Sequence, residues 1–212
     1  MYDNHVPVIS AAMRASPDTF ARGCMFAILS ARVQFHRVPG DLLDLDRDKH
    51  ECRALWSWKG AAYAYIEANK AQLWRDTLAE IDPAKAILVL TRVPGLGLVK
   101  AAFVLQLAGY DVACLDVRNI VTDKRNPRAY RSDGEARKLT AAFQRKACRY
   151  VSDTEGKARF YWDRWCHEAA ASYGMTPEEC SALHLSIVPR DFRLPTKKQG
   201  VKNELLNQPS PF

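Results

Sequence analysis

The sequence predicts an all-α protein, and three observations predict it. Apolar residues recur at helical spacing, as at Phe20, Cys24, Ala27, Ile28 and Ala31. Ser16-Pro17-Asp18, Asp82-Pro83 and Thr176-Pro177-Glu178-Glu179 each place a capping side chain before a proline, the pattern of a helix start. Strand-like runs such as Asp111–Leu115 stand alone, with no alternating pattern to pair with, and no internal repeat is present.

The 212 residues suit one domain or two small lobes sharing a core. The expected division is a helical region over 1–190 and a basic, proline-containing, loosely packed tail over 191–212. Lys+Arg 31 against Asp+Glu 24 gives a net charge of +7, which suits a polyanionic partner. No apolar run reaches membrane-spanning length, and the opening MYDNHVPVIS lacks a signal-peptide pattern. The chain is therefore expected to be a cytoplasmic monomer without a membrane partner. Six scattered cysteines, none in a C-x-x-C pair, read as reduced and mostly buried thiols. His5, His36, His50, His167 and His184 lack metal-ligand spacing, so no metal site is expected.

In chain order, a first helix is expected from Ser16 through TFARGCMFAILSARVQFHR. The acids Asp41, Asp44, Asp46 and Asp48 have the density of a calcium loop, yet that motif's glycine and closing glutamate are missing. The stretch therefore reads as a solvated turn and helix start. Trp56, Trp58, Tyr63, Tyr65 and Trp74 read as core aromatics of one helix, with Lys59, Lys70 and Arg75 facing out. Asp82-Pro83 starts a helix that leads into Val93-Pro94-Gly95-Leu96-Gly97, a tight hairpin in which proline fixes φ and both glycines permit strained φ values. The apolar run LVKAAFVLQLA then ends at Gly109, a natural helix terminator, and Asp116 is placed to cap the next helix. A late helix from about Glu155 carries Phe160, Trp162, Trp165, Cys166 and Ala169 and ends at Gly174. A short helix starts at Thr176.

Residues 91–119 carry a resemblance. Hairpin, apolar helix, gap and Leu115-Asp116 together resemble the helix-hairpin-helix DNA glycosylase superfamily, the group of endonuclease III, adenine glycosylase and 8-oxoguanine glycosylase. The resemblance implies a two-lobed helical glycosylase fold with DNA as partner and a nucleoid-associated location, or the host cytoplasm if the source is a virus. It makes Asp116, 21 residues past Gly95, the catalytic carboxylate. Pro94, Gly95, Leu96 and Gly97 would present backbone N–H groups to a DNA phosphate. A family segment that fills the gap left by an extruded base matches Phe26–Arg32, which points to Arg32, with Gln34 close by. Arg118, Lys124 and Arg125, in the basic stretch that includes Arg128, Arg131, Arg137 and Lys138, would contact phosphates.

The family's bifunctional members carry a nucleophilic lysine where this chain has Val99. Lys100, about 100° further around the helix, is expected to point elsewhere and to reach a phosphate instead. A monofunctional enzyme with water as acceptor is the corresponding expectation. Cys166 and Cys180 do not reproduce the family's iron–sulfur spacing, so no cluster is expected; a monovalent cation at the hairpin carbonyls would fit. Base excision by a hydrolase is the first reading. A second keeps the fold and makes the chain a bacteriophage-type transferase that adds an amine or amino acid to an activated 5-hydroxymethyl pyrimidine in DNA. A third is a non-catalytic DNA-binding module.

Overall fold

The computed structural model describes residues 1–48, 52–55, 58–130 and 139–194. Among them the regular elements are all helical: α1 (Tyr2–Ala15), α2 (Pro17–Leu29), α3 (Val38–Arg47), α4 (Trp58–Ala79), α5 (Pro83–Leu90), α6 (Leu98–Leu107), α7 (Val117–Thr122), α8 (Ala141–Thr154), α9 (Ala158–Tyr173) and α10 (Pro177–Ala182), with short 3-10 turns between. The expectations for His50, Trp56, Arg131, Arg137, Lys138 and residues 195–212 lie outside the described residues.

The helix starts stand where capping chemistry puts them. Ser16 Oγ accepts from the N–H groups of Asp18 and Thr19 at 3.2 and 3.4 Å, and Asp82 Oδ1 accepts from Ala84 N at 2.8 Å. Thr176 and Glu179 form a reciprocal capping box.

Five features depart from the sequence-based reading or add to it. The N-terminus is helical: α1 has no capping side chain and holds Pro7, but it buries Val6, Ile9, Ala12 and Met13. The helix expected to run past Arg32 stops at Leu29, and the turn that follows carries Arg32 at φ 60°, a left-handed conformation costly for a residue with a Cβ. The acid-rich stretch read as a solvated turn and helix start is already helical from Val38, as α3, anchored by buried Val38 and Leu42. Lys59, expected to face out, is buried and donates Nζ to Leu29 O at 3.0 Å. That carbonyl lies at the negative end of α2, which compensates the ammonium. Burial still lowers the Lys59 pKa, with Asp41 acting in the opposite sense. Helix α8 was not anticipated; Thr140 Oγ1 caps it by accepting from Phe143 N at 3.3 Å.

Helix α2 is the core, buried along most of its length and packed by α1, α3, α4 and α6. Helix α6 is nearly as enclosed, against α1, α2 and α5. Its C-terminal end is capped from α1, where Ser10 Oγ and Arg14 Nε both donate to Ala108 O at 2.9 Å. Gly109, at φ 83°, reverses the chain so that Tyr110 N reaches Leu105 O at 3.0 Å.

The loop Thr91–Gly97 joins α5 to α6 and is pinned by buried Val93 and Leu96, with Leu96 N donating to Val93 O at 3.1 Å. Only one of its glycines needs glycine's freedom. Gly95 stands at φ 82°, and the Trp58 ring occupies the space its Cβ would need. Gly97 has φ −86° and ψ −177°, extended backbone that any residue adopts. Gly95→Ala should therefore cost more than left-handed strain alone, about 2–4 kcal/mol in urea unfolding. Gly156→Ala, at φ 72° with no neighbour to meet, should cost only about 1 kcal/mol.

Candidate active site

Asp116 is delivered by an extended segment that has no strand to pair with. Its backbone groups are met by side chains instead. Tyr150 OH donates to Ala113 O at 2.9 Å and accepts from Leu115 N at 2.8 Å. Gln106 Oε1 accepts from Cys114 N at 3.1 Å while Gln106 Nε2 donates to Ala158 O at 2.8 Å, tying α6 and α9 to the segment. Asn119 Nδ2 donates back to Cys114 O at 3.0 Å. Asp116 then starts α7 as the sequence predicts, its Oδ1 accepting from Asn119 N at 3.0 Å.

The carboxylate faces a cavity of about 440 Å³. The end of α2 and its turn, the first two turns of α6, residues 114–119, helix α9 and His184 enclose it. Its walls are aromatic: Phe35, Phe103, Trp162, Trp165, Tyr173 and His184. These rings brace one another, with Phe35 and Trp165 4.5 Å apart and Trp162 and His184 4.2 Å apart between centroids.

Among the described residues, Asp116 is the one carboxylate in the lining, with the basic residues Arg32, Lys100 and Arg118. Burial raises the Asp116 pKa; the Asn119 N–H, the Lys100 charge, the Trp165 indole and Arg118 offset part of that rise. Lys100 corrects the sequence-based expectation. It turns into the cavity, where Nζ donates to Ser30 Oγ at 2.6 Å. The 100° offset from Val99 does not take it out of the site, because the cavity wraps the first turn of α6 and both residues line it. Burial lowers the Lys100 pKa, while Asp116 favours its charge. Burial, aided by Asp116, pushes the Cys114 thiol up to about 12, so it stays protonated. His184 Nδ1 donates to Ser181 O at 2.8 Å, and burial holds its pKa down to about 3, so the ring is neutral.

The other residues singled out by sequence fall in three places. Arg32 and Arg118 line the cavity; Arg118 also donates to Ser172 Oγ at 3.2 Å and lies 6.0 Å from the Tyr173 ring centre. Pro94, Gly95, Leu96 and Gly97 form the hairpin just before α6, while exposed Gln34 and Lys124 stand outside the lining. Arg125 turns inward: it donates to Asp123, Tyr130 and Tyr161 at 2.9–3.0 Å. Asp123 also accepts from Arg164 and Tyr161, both at 2.6 Å. Burial opposes ionisation of Asp123, but the hydrogen bonds from Arg164, Tyr161 and Arg125 outweigh it and hold the carboxyl down to about 2.

Sequence reasoning missed the aromatic wall. Trp162 and Trp165 read only as apolar surface, and Tyr173 and His184 gave no local signal. Their shared face appears only when α9 packs beside the end of α2. Among the described residues no group of three His, Cys, Asp or Glu side chains could hold a metal. A monovalent cation at the hairpin would rest on backbone carbonyls, one of which, Val93 O, already accepts Leu96 N.

Tyr150→Phe removes one hydroxyl and orphans both Ala113 O and Leu115 N. It should destabilise the protein by about 2–4 kcal/mol in denaturant unfolding, and any Asp116-dependent activity should fall even where the variant is fully folded. Comparison with protein-family models, with curated proteins and with solved structures finds no match.

Proposed function

We propose that this protein is a base-acting DNA enzyme of the two-lobed helical glycosylase type, a monofunctional N-glycosylase that uses Asp116. The observation that carries the reading is the Asp116 carboxylate, raised in pKa, at the edge of an aromatic cavity that opens beside the helix following the hairpin. A base inside a duplex has its reacting bond covered, so such an enzyme extrudes the nucleotide and stacks the base on aromatic side chains. Arg32, exposed at the cavity mouth, would take the vacated place in the stack, and the amides of Gly95 and Gly97 would hold a phosphate. The glycosidic bond then breaks with its electron pair leaving on the base nitrogen. The ionised Asp116 stabilises the cationic sugar until water adds at C1′; the proton that water gives up ends on the departed base nitrogen, giving a neutral free base and an abasic site. In this reading Lys100 stays hydrogen-bonded to Ser30 Oγ and does not act as the nucleophile.

A second reading is favoured by one observation, the three cations facing one carboxylate in the cavity. That excess suits an anionic leaving group, such as the diphosphate of an activated 5-hydroxymethyl pyrimidine displaced by an amine. A nucleoside digest separates the two by mass: a lost base for the hydrolase, a heavier nucleoside for the transferase. In a non-catalytic DNA-binding module, Asp116→Asn would change nothing.

Asp116→Asn keeps the capping oxygen and removes the charge. Base release should fall by about 10²-fold or more while DNA binding persists, as measured in parallel by product release and by gel shift. Because Asp116 must be ionised and its pKa is raised, activity should be lost as pH falls through a midpoint above the usual carboxylate range. The wild-type pH–rate profile gives that midpoint. Borohydride added during turnover should trap no protein–DNA adduct; an adduct that disappears in Lys100→Ala would assign a lyase step to that lysine instead.

A further inference from the structure

The aromatic wall of the cavity holds a side-chain acceptor, on His184, that the proposed reaction does not use. His184 Nδ1 is committed to Ser181 O at 2.8 Å, which places the proton there and leaves Nε2 as an acceptor. No hydrogen bond among the described residues engages Nε2. Thr77 Oγ1 is the fully buried side-chain polar atom left without a partner among those residues, so Nε2 is not sealed in the core: it opens on the cavity His184 lines. Of the rings around it, Phe26, Phe35 and Phe103 carry no donor, the Trp162 indole donates to Ser181 Oγ at 3.0 Å and the Trp165 indole serves Asp116.

An amine donor, Lys100, lines the same cavity. Lys100 Nζ lies 5.5 Å from the centre of the Phe103 ring, and the His184 ring centre lies 5.7 Å from the same ring. Lys100 has three N–H donors and gives one to Ser30 Oγ. The cavity's amides are already committed, Gln106 between Ala158 O and Cys114 N, and Asn119 between Cys114 O and Arg164.

We infer that His184 Nε2 and Lys100 Nζ form an acceptor–donor pair that reads the inner edge of the extruded base and selects one with a single ring N–H beside a carbonyl. This rests on the base-acting reading and names its substrate class as uracil- or thymine-type bases, 5-substituted forms included. A ring N–H donates to Nε2, and the carbonyl oxygen, with two lone pairs, accepts from the ammonium. Cytosine presents a ring acceptor and an amino group whose second N–H finds no partner on the aromatic wall, and an orphaned donor is strongly rejected there. His184 is thus a specificity-determining residue, and Lys100 contributes the second half of the code.

The test is equilibrium binding by fluorescence anisotropy in the Asp116→Asn background, so that no chemistry intervenes. Duplexes carry one central thymine, N3-methylthymine or cytosine opposite an abasic site, with a fully paired duplex as reference. Thymine should bind about tenfold tighter than either of the other two. His184→Asn keeps a donor for Ser181 O and lacks the acceptor, so it should erase the preference; His184→Gln, whose carbonyl can stand near Nε2, should restore part of it. Equal affinity for thymine and N3-methylthymine with His184 intact, both tighter than the paired duplex, overturns this assignment and leaves the base-acting reading in place. Affinity independent of the central nucleotide, equal to that of the paired duplex, overturns both.

Discussion

A buried backbone segment with no strand beside it must still satisfy its N–H and C=O groups, and residues 113–115 do so through side chains. Tyr150, Gln106 and Asn119 come from α8, α6 and α7, so three helices meet at the segment that ends in Asp116. The position of the carboxylate is therefore a property of the whole helical assembly. Any shift of α8 or α9 would reach Asp116 through Tyr150 or through the Gln106 bond to Ala158 O.

The electrostatics of the cavity grow from the end of α2. Two lysines converge there: Lys59 on the last carbonyl of the helix and Lys100 on the hydroxyl of the next residue. Burial lowers the pKa of both, and Lys59 is further lowered by Lys100. The turn they support carries Arg32 in a left-handed conformation at the cavity mouth. Asp116 and these cations face each other across apolar walls, where charges are poorly screened and each strongly affects the other's ionisation. The raised pKa of Asp116 is the net result, burial outweighing its cationic neighbours.

Behind α7 a second polar assembly does structural work. Asp123 accepts from Arg164, Tyr161 and Arg125; Arg125 also donates to Tyr130, whose hydroxyl donates to Asp153 at 3.0 Å. Arg164 also grips Asn119, the residue whose N–H binds Asp116 and whose amide binds Cys114 O. The network joins α7, α8 and α9 and keeps the two sides of the cavity in register. Its carboxylate is held low by paired donors, whereas at Asp116 burial beside the cavity outweighs the donors and raises the pKa.

The sequence by itself determined what local chemistry can determine. Capping side chains before prolines marked the starts at Ser16, Asp82 and Thr176; Gly109 and Gly174 marked ends; and Asp116 was legible as a cap because its carboxylate acts on a residue three positions away. Helix α1 carried no cap to read, and the end of α2 at Leu29 carried no glycine or proline to announce it. Tertiary structure alone decided which side chains face one another. Lys59 is buried because α4 crosses the end of α2, Lys100 lines the cavity because α2 ends where it does, and Arg125 turns inward to an aspartate and two tyrosines. Trp165 and His184 join Asp116 from positions far along the chain, because helix packing sets such distances and no local periodicity encodes them.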